Sequence, residues 1–93
     1  PAGQGATALS YRMGLEPRRS GGRVMAHAIR GTVPLPALER AGLRRGDVIL
    51  SVNGSSFDAE RMAELAWQLA NADGTSLTVE RAGRRFNVTI PRQ

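Results

Sequence analysis

Short runs in which apolar and polar residues alternate recur along the chain and predict strands. Leu9, Tyr11 and Met13 alternate with polar or small residues, which is typical of a strand with one buried face. Pro17 disturbs this pattern, because proline donates no hydrogen bond to a ladder, and residues 18–22 predict a turn. The predicted strands cover residues 9–16, 23–30, 48–52, 76–81 and 85–90.

Two segments between these strands carry helical signals. Residues 35–41 begin among prolines that suit a helix start and stop before Gly42, which suits a left-handed helix end, so they predict a short helix. A longer helix is predicted from Asp58, a suitable N-cap, to about Asn71, with Gly74 as its stop. Its apolar residues recur at helical spacing and define the predicted buried face: Met62, Leu65, Ala66, Leu69 and Ala70.

The order of these elements predicts a small α+β domain that is mostly β. Strand, strand, short helix, strand, long helix, strand, strand is typical of an antiparallel barrel or sandwich capped by two helices. Residues 1–8 are small and polar and predict a linker or tail, and residues 9–91 predict one domain. Because the chain lacks an initiator Met, we expect it to be a piece of a longer protein; this piece has no apolar run long enough for a membrane segment.

Composition removes most kinds of catalytic site. All thirteen basic side chains are arginine, against eight acidic ones, which gives a net charge of +5. Without lysine there is no Schiff base and no P-loop lysine, and without cysteine there is no thiol nucleophile, disulfide or cysteine-bound zinc. His27 is the only histidine, so a multi-histidine metal site is excluded. We therefore expect that the chain is not an enzyme and that it needs no cofactor or metal.

Three single residues could carry chemistry, and each has a simpler interpretation. His27 lies mid-strand without a nucleophile motif, so a structural or surface role is favoured over catalysis. Asp47 is interpreted as a residue that fixes its loop. Trp67 lies off the apolar face of the long helix, and packing against the helix edge is favoured over an exposed binding anchor.

Three pairs of adjacent arginines raise the possibility of nucleic-acid binding. They fall at predicted turns: Arg18-Arg19, Arg44-Arg45 and Arg84-Arg85. No platform of aromatic residues accompanies them, since the chain holds four aromatics in all, so solvent-exposed arginines without nucleic acid are favoured. The positive charge can still steer acidic partners toward the domain.

Residues 38–54 resemble the most recognisable segment of a PDZ domain. They read Leu-Glu-Arg-Ala-Gly-Leu-Arg-Arg-Gly-Asp-Val-Ile-Leu-Ser-Val-Asn-Gly, with a short helix, a glycine turn, Gly-Asp, a buried strand and Asn-Gly in the family's order. The resemblance covers about residues 9–91 and follows the bacterial, circularly permuted element order. It implies a partly open, five- to six-stranded PDZ-like barrel or sandwich.

The resemblance also implies a peptide-binding groove between one strand and the long helix. In the family, the ligand's terminal carboxylate meets backbone N–H groups of a hydrophobic-Gly-hydrophobic loop, a pattern that Met13-Gly14-Leu15 fits. The groove residues implied here are Met13, Gly14, Leu15, Glu16, Met62, Ala66 and Leu69. For Met62, Ala66 and Leu69, ordinary core packing is an equal alternative to groove lining. The partner would be a protein or peptide with an apolar side chain for this groove.

Two positions depart from the family's usual pattern. Pro17 lies where the strand usually offers both N–H and C=O to the ligand backbone, so one hydrogen bond of about 0.5–1.5 kcal/mol net is lost. Met62 aligns near a position that is often histidine in animal PDZ domains, so no serine or threonine preference in the ligand is implied.

Within the bacterial members, the chain resembles the C-terminal PDZ domain of the type II secretion C component (general secretion pathway protein C). Four segments carry this likeness: residues 14–18, 21–24, 38–48 and 77–86. It implies a periplasmic domain of an inner-membrane-anchored parent that recognises exoproteins or secretion-machine components. The alternatives are the regulatory PDZ domain of an HtrA-type or membrane-embedded protease, and a scaffold domain with a closed groove.

Overall fold

The computed structural model describes residues 14–30 and 36–92, and this part of the chain contains six strands and two helices. In chain order they are β1 (Leu15–Ser20), β2 (Arg23–Ile29), α1 (Pro36–Arg40), β3 (Val48–Val52), β4 (Ser55–Ser56), α2 (Ala59–Asn71), β5 (Gly74–Arg81) and β6 (Arg84–Pro91). The predicted linker at residues 1–8 and the predicted strand start at residues 9–13 lie outside the described residues.

All six strands pair antiparallel in one open sheet. The strand order is β1-β2-β3-β5-β6, and the two-residue β4 pairs with β3 beside this path. The predicted α+β, mostly β fold with two helices is confirmed. Among the described elements, β1 and β6 lie at the two ends of the strand order, so each has one side without a strand partner.

The turn predicted at residues 18–22 is shorter than predicted and covers only Gly21 and Gly22, because β1 continues through Pro17 to Ser20. Pro17 lies opposite His27 in an edge strand, where a missing N–H on the outer side leaves the pairing with β2 intact. The register shifts between Arg18 and Arg19, and only then does the chain turn, at two glycines with φ of 61° and 79°.

The other predicted elements are found with small shifts. α2 begins after Asp58, whose side chain accepts a hydrogen bond from the Arg61 N–H at 3.0 Å, and the predicted N-cap is thereby confirmed. The helix ends at Asn71, so Gly74 starts β5 rather than stopping the helix. β4 was not predicted, because two serines give no periodic pattern.

The core lies between the sheet and α2 and also takes in α1. It is a single cluster of buried apolar side chains: Leu15, Ile29, Ala37, Leu38, Leu43, Ile49, Val52, Phe57, Met62, Leu65, Leu69, Leu77, Val79 and Ile90. The buried face of α2 is narrower than predicted, because Ala66 and Ala70 are exposed. Trp67 is 66% exposed, so the predicted packing of its ring is wrong.

Candidate functional site

The first peptide unit of β1 offers a hydrogen-bond donor at the sheet edge. The Gly14 carbonyl accepts from the Arg30 N–H at 3.0 Å and therefore points toward the chain that follows β2. In a planar trans peptide the N–H of the next residue points the opposite way, so the Leu15 N–H points away from β2. Gly14 has φ of 71°, a left-handed conformation that glycine adopts at little cost.

The pairing of β2 with β3 gives the same orientation independently. Leu15 lies opposite Ile29, but Ile29 donates its N–H to the Asp47 carbonyl at 2.8 Å and accepts from the Gly46 N–H at 2.9 Å. Both backbone groups of Ile29 are therefore turned away from β1. Leu15 and Ile29 form a non-hydrogen-bonded pair, and both backbone groups of Leu15 face outward.

Alternate residues of a strand share this outward orientation, so the next position is Pro17. Its carbonyl faces outward, whereas its nitrogen carries no hydrogen to donate. Glu16, between the two, pairs with Ala28 and directs its backbone groups toward β2. The free edge of β1 thus presents the donor of Leu15, the acceptor of Leu15 and the acceptor of Pro17.

The predicted groove residues lie partly in the core and partly on the surface. Leu15, Met62 and Leu69 belong to one core cluster and are 0%, 0% and 5% exposed. Ala66 is exposed. Met13 lies outside the described residues, so this structure describes six of the seven predicted groove residues.

The two flanks of α2 face different surroundings. Arg61, Leu65 and Gln68 line a cleft of about 210 Å³ together with Asn53 of the β3–β4 turn and Ser55 of β4. At about 100° per residue, Ala66 lies on the other flank of the helix. The predicted groove between α2 and β1 uses this flank, and contact of Ala66 with a ligand stays a prediction.

His27 has a structural role, as predicted, and connects the strand behind β1 to the start of α2. The side chain is 1% exposed, and its Nδ1 lies 3.1 Å from the Phe57 carbonyl, which can only accept, so Nδ1 carries the hydrogen. The two rings are tilted at 51° with centroids 4.5 Å apart. Burial lowers the pKa of His27, partly opposed by the Phe57 carbonyl and the nearby Asp58 carboxylate.

Asp47 fixes its loop, as predicted, and also ties it to β5. Arg81 donates Nε to one carboxylate oxygen at 2.8 Å and an Nη2 hydrogen to the other at 2.7 Å. The Arg44 N–H adds a bond of 3.1 Å, and Arg81 also donates to the Gly42 carbonyl at 3.0 Å. The hydrogen bonds from Arg81 are the main reason that the pKa of Asp47 lies below its usual value.

The sequence did not indicate a second cleft, which lies between α1 and β6. It encloses about 300 Å³ and is mostly apolar, with Arg40 as its charged residue. Its lining comprises Ala37, Arg40, Ala41, Val88, Thr89, Ile90 and Pro91. The cleft forms where two elements far apart in sequence meet, and no local pattern encodes such a meeting.

Metal-ligating side chains do not cluster in the described part of the chain. Among residues 14–30 and 36–92, no group of three acidic or histidine side chains lies close enough to hold a metal ion. No helix in this part of the chain has the length and apolar character needed to cross a bilayer.

Comparison with known proteins identifies the family. The PDZ domain family model matches residues 33–81, just over half of the chain. The PDZ domain of EpsC from Vibrio cholerae (residues 219–305) is 29% identical with a TM-score of 0.60, covering 83% of this chain and 90% of that one. The PDZ domain of the pullulanase C protein of the Klebsiella pneumoniae type II secretion system, crystallised with fatty acid, is 26% identical with a TM-score of 0.56, covering 83% and 80%.

A curated relative of the chain is a protease. The magnetosome formation protease MamE of Magnetospirillum gryphiswaldense is 33% identical over 89 residues, which is 95% of this chain. The chain spans 11% of the length of that protein. The likeness to type II secretion PDZ domains is confirmed by the solved structures, and a protease carries a similar segment.

Proposed function

The chain belongs to the PDZ domain family, and from this premise we propose that it is a non-catalytic module that binds an extended peptide along β1. The observation that carries the proposal is the outward Leu15 N–H, set by Gly14 at the start of an edge strand. Such an edge accepts a ligand as an additional strand, and its backbone bonds supply affinity without chemistry. The proposed domain spans residues 9–91 and follows a linker, residues 1–8.

The ligand's last residue lies at the beginning of β1 in this proposal. Its carboxylate accepts from the Leu15 N–H, between Gly14 and Glu16; Met13, the other residue of the predicted hydrophobic-Gly-hydrophobic pattern, lies outside the described residues. Farther along, the carbonyls of Leu15 and Pro17 accept ligand N–H groups. Pro17 has no N–H to donate to a ligand carbonyl, so one backbone hydrogen bond is missing. We therefore expect backbone pairing alone to give modest affinity.

The side chain of the ligand's last residue is apolar and packs between β1 and α2, beside Leu15, Met62, Ala66 and Leu69. Met62 and Leu69 are buried in the core cluster and would form the floor of the groove. Ala66 is exposed and would contact the ligand from the helix flank. The apolar area that the ligand buries there would contribute to its affinity.

We further propose that the parent protein is a type II secretion C component. The domain would then lie in the periplasm, with its parent anchored in the inner membrane, and recognise exoproteins or parts of the secretion machine. The likeness to EpsC over 83% of the chain supports this role. The charge of +5 favours acidic partners.

The second candidate is a regulatory, substrate-recognising PDZ domain of a protease, which the likeness to MamE favours. The two candidates share the groove and differ in the parent protein. Sequencing the gene on both sides of this segment distinguishes them. A protease domain supports the second candidate, whereas one membrane helix followed by a small periplasmic domain supports the first.

Selection from a phage-displayed library of random C-terminal peptides tests the groove. Wild type should enrich peptides with an apolar last residue. Ala66→Glu should lose this enrichment, because a carboxylate on the exposed flank of α2 would meet the apolar side chain of the ligand.

Gln68→Glu is the matched control. It introduces the same side chain on the same helix, on the flank that faces the β3–β4 turn. Equal enrichment by both variants would contradict the groove, and so would a wild-type domain that selects no peptide. The latter result would favour a closed-groove scaffold.

A further inference from the structure

Three arginines surround the far end of the β1–β2 hairpin. Arg18 and Arg19 lie in the second half of β1, Arg23 starts β2, and all three are exposed. Arg18 directly follows Pro17 on β1, the strand beside which the proposed ligand lies. The charged end of the hairpin is thus continuous with the proposed binding edge.

These arginines have no carboxylate partner among the described residues. The ion pairs found there join Arg61 to Asp58, Arg81 to Asp47, Arg85 to Glu80 and Arg92 to Asp73. All eight acidic side chains of the chain lie within the described residues, so none of them neutralises this end of the hairpin. Glu16 is the single carboxylate of β1, and it forms no salt bridge with Arg18.

Side chains alternate between the faces of a strand, so the two β1 arginines lie on opposite faces. Arg19 shares the face of Leu15 and Pro17, and Arg18 shares the face of Glu16. A ligand strand paired with the edge of β1 would therefore have one arginine side chain near each of its two faces. A lipid surface would meet one face of the hairpin, so the arrangement favours an extended acidic segment over an anionic membrane.

The pairing register of a ligand strand with β1 predicts which ligand residues lie opposite Arg18 and Arg19. In an antiparallel pair, each residue farther along β1 from Leu15 toward Arg19 lies opposite a ligand residue one position farther from the ligand's C-terminus. If the last residue of the ligand lies opposite Leu15, then its third and fourth residues before the end lie opposite Arg18 and Arg19. Directly opposed side chains in such pairs have Cβ atoms about 5 Å apart, within reach of a guanidinium and a carboxylate.

We propose that Arg18 and Arg19 select ligands with Asp or Glu at the third and fourth residues before the C-terminus. This selectivity rests on the proposed function, since it needs a ligand strand on β1. Attraction between the arginines and these acidic residues compensates for part of the affinity that is lost with the missing hydrogen bond at Pro17. Arg23 contributes to the same field from β2.

The same displayed library of random C-terminal peptides tests this selectivity. Wild type should enrich acidic residues at the two named positions, and the Arg18→Gln/Arg19→Gln variant should lose that enrichment while still selecting an apolar last residue. The matched control is Arg84→Gln/Arg85→Gln, which removes the same charge from an exposed pair on β6 at the other end of the strand order. This control should keep the acidic enrichment.

A titration of one selected peptide, labelled with a fluorophore, gives the size of the effect. Replacing its two acidic residues by Asn and Gln should weaken binding to wild type by about threefold to tenfold at low salt, as expected for two exposed ion pairs. The difference should shrink between about 50 and 300 mM NaCl, because salt screens exposed charges. The Arg18→Gln/Arg19→Gln variant should bind both peptides alike.

Three results would overturn the proposal in distinguishable ways. Selection of apolar ends without acidic preference would refute the arginine selectivity and leave the groove intact. Selection of no peptide at all would refute both. Binding of wild type, but not of the Arg18→Gln/Arg19→Gln variant, to phosphatidylglycerol vesicles without acidic enrichment in the library would identify a membrane surface instead.

Discussion

At the scale of single residues, Asp47 shows how one carboxylate joins distant parts of the chain. Its side chain is 1% exposed, and each of its oxygens accepts from Arg81, which is one-third exposed. Asp47 thereby holds the loop after α1 against the end of β5, where Arg81 also lies 5.1 Å from the centre of the Phe86 ring. Removing the guanidinium would leave a buried, charged carboxylate with one remaining donor, the Arg44 N–H.

Arg81→Gln should therefore lower the free energy of unfolding by about 1–3 kcal/mol at neutral pH. Breaking a buried pair costs more than this, but Arg81 is partly in water, which reduces the effect. Arg85→Gln is the control, because its 3.6 Å pair with Glu80 is exposed and should contribute less than about 0.5 kcal/mol. Urea unfolding followed by circular dichroism measures both, and equal losses would contradict the role of Asp47.

The same pair predicts a pH dependence. Arg81 lowers the pKa of Asp47 in the folded state, so the unfolded chain binds the proton first as the pH falls. The stability that the pair contributes is fully present above the unfolded value of about 4 and is lost as the pH falls through the lower folded pKa. The difference between wild type and Arg81→Gln should therefore shrink in strong acid, and a constant difference down to about pH 2 would refute this explanation.

His27 predicts a second loss of stability, which begins at a less acidic pH. Burial lowers its pKa in the folded state, so the neutral ring is favoured there. This contribution is fully present above the unfolded value of about 6.5 and is lost as the pH falls below it. Because His27 is the only histidine, its ring protons can be titrated by NMR without ambiguity. A midpoint of about 6.5 would mean no contribution, and a higher one would show the opposite sign.

At the scale of elements, β1 is the strand on which the functional interpretation depends. A proline in its outward position removes a donor that would otherwise pair with a ligand, and it also discourages unwanted strand pairing at this edge. The bulge between Arg18 and Arg19 increases the local twist at the charged end. β1 therefore offers hydrogen bonds mainly at its first residue and charge at its far end.

Pro17→Ala should strengthen binding of a library-selected peptide by about twofold to tenfold, because one backbone hydrogen bond is restored. Pro91→Ala is the control, since it restores an N–H at the end of β6, on the opposite end of the strand order. Fluorescence anisotropy with the labelled peptide measures both variants. Unchanged affinity in Pro17→Ala would mean that the ligand backbone does not pair at this position.

The elements differ in how well the sequence predicted them, for physical reasons. α2 has an N-cap side chain and apolar residues at helical spacing, both local signals, and its bounds follow the prediction closely. β1 was cut short at Pro17, because whether a proline interrupts a strand depends on which side its nitrogen faces, and that depends on the partner strand. Trp67 was misplaced because burial at a helix edge depends on what packs beside the helix.

At the scale of the whole molecule, the fold class followed from the order of elements and from the motif at residues 38–54, but the site followed only in part. The sequence placed Gly14 and Leu15 near the end of a predicted strand over residues 9–16, whereas Gly14 directly precedes and Leu15 begins the edge strand β1. The helical spacing placed Met62 and Leu69 correctly on the buried face of the long helix, but it could not show that Ala66 is exposed. Such differences come from packing between distant segments, on which local periodicity carries no information.

The central claim is that a ligand strand pairs with the free edge of β1. An NMR titration of the isotope-labelled domain with a library-selected peptide tests it most directly. The largest amide shifts should fall at residues 14–17 and 62–69, and the Leu15 N–H should become protected from hydrogen exchange when the peptide is bound. Shifts confined to the cleft between α1 and β6, with the Leu15 N–H still exchanging freely, would contradict the claim.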